Sequence, residues 1–181
     1  MRLFTAIDLP KDLLASLDAL VQRLKHTARI GWSPVANLHL TTKFIGEWEE
    51  ARLEELKKAL GQLPKREPIA VRVRGLGFFP NARSPRVFWA GVEAPRELVT
   101  LAGQTDLALS GLGITIEGRA YTPHLTLARI KDTLPLDSLH QAIAQLPSQE
   151  LGGFTADRFY LYQSRPSPSG SVYTRLAEFP F

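Results

Sequence analysis

An α+β fold with two pseudo-symmetric antiparallel sheets, outer helices and a central cleft is predicted for this chain by three observations. Segments of strict apolar alternation are separated by segments with helical spacing of leucine. The chain matches itself at a shift of 85 residues. The tripeptide His-Leu-Thr recurs at that same shift, at His39-Leu40-Thr41 and His124-Leu125-Thr126, although the chain has only four histidines. Two copies of a unit this long read as a duplicated lobe rather than a solenoid.

The elements follow in order. Residues 2–8 alternate as a strand, and Pro10 opens a helix over 10–26 with Leu13, Leu17, Leu20, Val21 and Leu24 at helical spacing. Residues 37–45 form the first histidine strand. A charged helix is expected over 49–62, with Leu53, Leu56 and Leu60 facing inward and Gly61 near its end. Ile69–Arg74 alternates as a strand, and a turn through Pro80–Pro85 leads to a strand at 86–92. The second lobe is expected to repeat the plan, with a helix at 95–110, a short strand at 113–117 and the second histidine strand at 123–130. A helix at 135–146, strands near 154–163 and 171–178, and a hairpin at Arg165–Gly170 complete it.

At the 85-residue shift, Leu3–Leu14 falls on Phe88–Val99, placing Phe4 on Trp89, Asp8 on Glu93 and Pro10 on Pro95. Ser171–Ala177 lies the same step beyond Arg86–Val92. No linker separates the halves, so residues 1–181 are expected to form one bilobal domain whose lobes meet along the histidine strands.

Composition bounds the function. Apolar content of 44% and charged content of 22% are those of a folded globular protein. No apolar run approaches 18 residues, and the first residues lack a signal-peptide core, so a cytoplasmic protein without a membrane span is expected. The absence of cysteine excludes disulfides and thiolate metal sites. A net charge of +4 leans mildly toward anionic partners.

On a strand, residues i and i+2 share a face. Each tripeptide therefore presents an imidazole beside a hydroxyl, with Leu40 and Leu125 turned the other way. His26 and His140 lack such context and read as solvated helix residues. Two distant histidines without cysteine or an acidic cluster make a thin metal-ligand set, so no metal is expected. Nothing resembles a nucleophile elbow, and no P-loop is present. Phosphate chemistry fits better: two imidazoles can serve as general base and general acid across a phosphorus, while two hydroxyls donate to its nonbridging oxygens. Lys43, in phase with His39 and Thr41, would add positive charge.

His39-Leu-Thr-Thr42 and His124-Leu-Thr-Leu127 resemble the paired His-x-Thr-x motifs of the two-histidine phosphoesterases. The likeness is to their RNA 2′,3′-cyclic phosphodiesterases, long called 2′-5′ RNA ligases, and covers nearly the whole chain. Arg2–Pro10, Trp32, Asn37–Gly46, Gly75–Pro80, Pro123–Arg129, Leu161–Ser164, Gly170 and Tyr173 carry it. Thr42 departs from the commoner aliphatic residue. The resemblance implies hydrolysis of an RNA terminal 2′,3′-cyclic phosphate to a 2′-phosphate without metal or cofactor. His124 would activate water, His39 would protonate the departing 3′-oxygen, and Thr41 and Thr126 would hold the phosphoryl oxygens. In reverse, the site would join a cyclic end to a 5′-hydroxyl through a 2′-5′ bond without ATP. The implied partner is an RNA end bearing the cyclic phosphate, with no membrane or obligatory protein partner, and a monomer is expected. The family counterpart of Arg129 is associated with the site, yet strict alternation turns Arg129 away from His124; a bulge, a strand end or the long Arg side chain would reconcile them. Trp32, Phe78, Phe79 and Tyr173 are candidates for base stacking. A cyclic phosphodiesterase acting on a small nucleotide, such as a cyclic ADP-ribose derivative, and an RNA-end-binding module with little turnover are the alternative functions.

Overall fold

The structure, a computed structural model, describes residues 1–93 and 95–181. Among the described residues, nine strands and four α-helices run in the order β1 (Arg2–Asp8), α1 (Lys11–Leu24), β2 (Gly31–Trp32), β3 (His39–Glu47), α2 (Leu53–Gly61), β4 (Ile69–Phe79), β5 (Val87–Glu93), α3 (Arg96–Ser110), β6 (His124–Arg129), α4 (Asp137–Ala144), β7 (Glu150–Ala156), β8 (Arg158–Ser167) and β9 (Gly170–Pro180). Two antiparallel sheets result, with strand orders β3-β1-β8-β9 and β2-β6-β5-β4-β7. The predicted α+β class with duplicated sheets and outer helices is the class observed.

The amphipathic pattern places the helices. In α1 the buried residues Leu13, Leu17, Leu20, Val21 and Leu24 form a single stripe, and each fully buried Leu contributes about 1.5–3 kcal/mol. Pro10 precedes the helix in extended backbone, and Asp12 lies in the first turn, where a negative charge favours the helix dipole. In α3, Leu98, Leu101, Ala102 and Leu109 do the same work, and the Thr105 hydroxyl donates to the Leu101 carbonyl.

The structure corrects how strands are divided between the lobes. With β2 and β7 set aside, each repeat runs strand, helix, strand, helix, strand: β1-α1-β3-α2-β4, then β5-α3-β6-α4-β8. The last strand of each repeat lies in the other repeat's sheet, β4 beside β5 and β8 beside β1. The helices also cross, since α1 packs on β7 and α4, while α3 packs on β3 and α2. Periodicity shows that a segment is a strand but not which strand it will pair with. β9, which shares a sequence step with β5, takes an edge position in its sheet, whereas β5 is interior.

Other boundaries shift for local reasons. The strand expected at 113–117 does not form, because side chains satisfy its backbone. Lys43 Nζ donates to the Thr115 carbonyl, and Glu117 N–H donates to Asp106 Oδ2. β7 begins at Glu150, four residues before the expected strand, and pairs with β4 across Gly152 and Gly153. A Cβ on Gly153 would lie 2.8 Å from the Val71 carbonyl oxygen, so the pairing needs glycine there.

Two bulges matter most. Thr5 pairs with Lys43 and Ala6 with Thr41, leaving Thr42 as the extra residue of β3. Phe88 pairs with Ala128 and Trp89 with Thr126, leaving Leu127 as the extra residue of β6. Thr42 and Leu127 are themselves 85 residues apart. An extra residue reverses the facing of everything beyond it.

Candidate functional site

β3 and β6 lie side by side where the two sheets meet, and each opens on its histidine. The ring nitrogen Nδ1 of His39 lies 2.7 Å from the Asn37 carbonyl oxygen, and Nδ1 of His124 lies 2.8 Å from that of Thr122. A carbonyl only accepts, so Nδ1 carries the hydrogen in both rings. Nε2 is then the ring nitrogen left free to exchange a proton. The arrangement is set by sequence, because each carbonyl belongs to the residue two before its histidine. Asn37 is itself tied down, its side-chain amide donating to the Ser171 carbonyl at 2.8 Å.

The environments of the two rings differ. His39 stacks on Phe4 with centroids 4.7 Å apart and meets the edge of Tyr173 at 5.2 Å. His124 meets Phe79 edge-on at 5.0 Å. Burial holds His39 below the ordinary histidine value; the bond to Asn37 and the charge of Asp8 oppose this, and the Arg129 guanidinium adds to it.

Thr41 and Thr126 are half-buried and two residues from their histidines. Each backbone carbonyl is held from elsewhere in the chain: Tyr121 Oη donates to the Thr41 oxygen at 2.7 Å, and Ser33 Oγ to the Thr126 oxygen at 2.9 Å. Burial pushes the Tyr121 phenol well above its usual range, so it stays a donor.

The bulges decide the remaining candidates. Past Leu127, Arg129 pairs with Val87 and is exposed, on the face shared with Trp89 and Thr126. Arg129 is thus not turned away as strict alternation predicts, and its charge reaches His39. Past Thr42 the same shift turns Lys43 inward, correcting its expected phase with His39 and Thr41. Its side chain is 7% exposed and ion-paired with Asp106 of α3, with a further bond of 3.0 Å to the Thr115 carbonyl. The Thr42 hydroxyl is buried against that of Thr5 at 2.7 Å.

Of the stacking candidates, Phe79 and Tyr173 touch the histidines. Trp32 instead donates Nε1 to the Ala28 carbonyl and packs edge-on against Phe88, and Phe78 stacks on Phe88. His26 and His140 are exposed, as expected.

Sequence reasoning missed the groups behind His39. Asp8, which pairs with His39 in the β1–β3 register, accepts from Tyr162 Oη at 2.7 Å and forms an ion pair with Arg175. Burial, then the bond to Asp8, pushes the Tyr162 phenol up to about 12. Arg175 also lies over the Tyr160 ring, 4.0 Å from its centroid. These residues come from β1, β8 and β9, and no local pattern links them. Among the described residues no group of three His, Cys, Asp or Glu side chains is placed to hold a metal, and no helix is long and apolar enough to cross a membrane.

Two segments of the chain, residues 7–89 and 91–173, match the family model described as LigT like Phosphoesterase. The chain belongs to this family. Each LigT-like segment carries one His-x-Thr-x motif, so the duplication seen in the sequence is one of family units. Curated relatives named RNA 2′,3′-cyclic phosphodiesterase include that of Methanothermobacter thermautotrophicus, 33% identical with 99% of this chain and 98% of the relative covered, and that of Methanocaldococcus jannaschii, 34% identical with 98% and 99% covered. Among solved structures, a Thermus thermophilus protein matches with a TM-score of 0.83 at 32% identity, covering 99% of this chain and 97% of that one. Escherichia coli LigT complexed with 3′-AMP matches with a TM-score of 0.79 at 25% identity, covering 99% and 97%.

Proposed function

We propose that this LigT-like phosphoesterase opens the terminal 2′,3′-cyclic phosphate of RNA to a 2′-phosphate without a metal ion. The observation that carries the reading is the matched pair of imidazoles, each with Nδ1–H committed to a carbonyl two residues back and Nε2 left for proton transfer. The names of the relatives and the nucleoside 3′-phosphate in the LigT complex support the substrate class.

The chemistry follows from placement. With the cyclic phosphate between the motif strands, Thr41 and Thr126 hydroxyls donate to its nonbridging oxygens, and Arg129 adds positive charge. His124 Nε2 takes a proton from water as it attacks phosphorus. His39 Nε2–H gives a proton to the leaving 3′-oxygen. Each transfer contributes about 10²–10⁴ in rate. Burial favours neutral His39 in the free protein, and a bound phosphate anion draws the ring toward the protonated form that an acid needs. Lys43 stays outside the reaction, because its charge is matched by Asp106. A 5′-hydroxyl in place of water gives 2′-5′ joining at the same site, driven by the cyclic ester. The protein works as a cytoplasmic monomer on this reading.

Incubation of purified protein with an oligonucleotide 2′,3′-cyclic phosphate, with and without EDTA, tests it. Equal turnover in both is expected, and no turnover in either sinks the proposal. Faster turnover of a cyclic mononucleotide than of longer RNA points instead to the small-nucleotide enzyme. Tight, salt-sensitive binding without turnover points to an end-binding module.

A further inference from the structure

The two motif copies are matched within their own strands, each with Nδ1–H bound to a carbonyl two residues back, so the difference between acid and base lies in their neighbours. At the 85-residue shift, Asp8 corresponds to Glu93 and Ala6 to Gly91. The two sheets do not keep that correspondence. Asp8 pairs with His39 in β1–β3, whereas Gly91 pairs with His124 in β5–β6, a register two residues apart. A slip of two preserves facing and changes only the neighbour. Glu93 consequently lies beyond His124 and is ion-paired with Arg72 and Arg74 of β4. A Cβ on Gly91 would lie 2.5 Å from the Arg74 carbonyl oxygen, so no carboxylate can stand opposite His124 while β4 and β5 stay paired.

The Asp8 carboxylate is held on both oxygens. Tyr162 Oη donates to Oδ1 at 2.7 Å, the Arg175 guanidinium is ion-paired with Oδ2, and Arg175 Nε donates to Tyr162 Oη at 3.4 Å. Tyr162 stacks on Phe4 with centroids 5.4 Å apart, and Phe4 stacks on His39. We infer that the register of the first sheet commits His39 to the acid role through Asp8, with Arg175 and Tyr162 as positioning residues that fix this carboxylate and its pull. A nearby carboxylate favours the imidazolium, the form that can give up a proton. The inference rests on the two-histidine reaction above and adds what decides which copy is the acid. The titratable and charged groups around His39 are Asp8 of β1, Tyr162 of β8, Tyr173 and Arg175 of β9, and Arg129 and His124 of β6. Asp8 and Arg129 are the charges that act on the ring, in opposite directions. Arg175 therefore works through Asp8, by matching part of its charge.

The test follows the two motif histidines by NMR titration in the free protein, alongside kcat/KM for a 2′,3′-cyclic mononucleotide against pH. Arg175→Met leaves Asp8 less matched, so the His39 midpoint should rise by about 0.3–0.7 pH unit, the size expected of a half-exposed charge. The limb of kcat/KM that falls with rising pH should move up by the same amount, while the His124 midpoint stays in place. Arg175→Lys keeps the charge and should restore the parent midpoint. Tyr162→Phe keeps the stack on Phe4, removes a donor to Asp8 and should move His39 the same way; it serves where Arg175→Met lowers Tm. In an Asp8→Asn background, Arg175→Met should leave His39 where Asp8→Asn alone puts it. A shift of equal size with and without Asp8 overturns the inference, as does equal movement of both histidines. A His39 midpoint that moves while the falling limb stays also overturns it, since His39 would then not be the acid. A protein that fails to open the cyclic phosphate refutes the enzymatic reading, and with it the acid role, whereas hydrolysis with an unmoved His39 midpoint in both Arg175→Met and Tyr162→Phe refutes only the positioning by Arg175 and Tyr162.

Discussion

Replacing Asp106 by Ala should leave the Lys43 ammonium buried without its counter-charge. The two side chains are 7% and 14% exposed, and the only other partner of Lys43 Nζ among the described residues is the Thr115 carbonyl at 3.0 Å. Removing one member of a buried pair costs about 3–5 kcal/mol, because the other charge stays desolvated. Asp106 also accepts from Glu117 N–H at 2.9 Å, so the segment after α3 loosens as well. In a chain of 181 residues each kcal/mol moves Tm by about 2–4 °C, which gives a fall of about 6–20 °C. The double variant Lys43→Met, Asp106→Leu removes both charges and should recover most of that stability, since well-packed apolar replacements of buried pairs are often neutral. Thermal unfolding followed by circular dichroism measures both, alongside hydrolysis by the double variant. A single variant within about 1 kcal/mol of the parent would refute the buried pairing. Loss of about 10² in rate by a stable double variant would return Lys43 to the substrate.

Two further outcomes are expected. His39→Ala and His124→Ala should each lose about 10²–10⁴ in kcat with Tm little changed, measured on a cyclic-phosphate oligonucleotide. In the free protein His39 must be protonated to act as acid, so kcat/KM should fall as pH rises through its lowered value, below 6.5. Removing the depressing charge with Arg129→Met should move that limb to higher pH, whereas Asp8→Asn, which removes a raising charge, should move it lower. Limbs that stay in place in both variants would mean that a different group sets them.

Much of this molecule is legible in its sequence because two periodicities carry it. Alternation in Arg2–Asp8 and helical spacing from Leu13 to Leu24 fix local elements, and the 85-residue register ties the two histidines to equivalent strands. What escaped depends on contacts between distant segments. The exchange of β4 and β8 between sheets leaves no mark on the pattern of either strand. The bulges at Thr42 and Leu127 each hinge on one unpaired residue, which alternation cannot reveal, and they alone send Lys43 inward and Arg129 outward. Asp8, Tyr162 and Arg175 meet only because β1, β8 and β9 are neighbours. The segment around Thr115 alternates like a strand, but Lys43 and Asp106 occupy its backbone groups instead of a partner strand.

The reaction itself provides the most direct test of the paired-histidine account. An RNA ending in a 2′,3′-cyclic phosphate, opened in ¹⁸O-labelled water, reports which ester oxygen left and where water attacked. Attack on phosphorus opposite the 3′-oxygen predicts a 2′-phosphate carrying one labelled oxygen and an unlabelled 3′-hydroxyl. A 3′-phosphate would contradict the placement of acid and base, and label in the ribose hydroxyl would contradict attack at phosphorus.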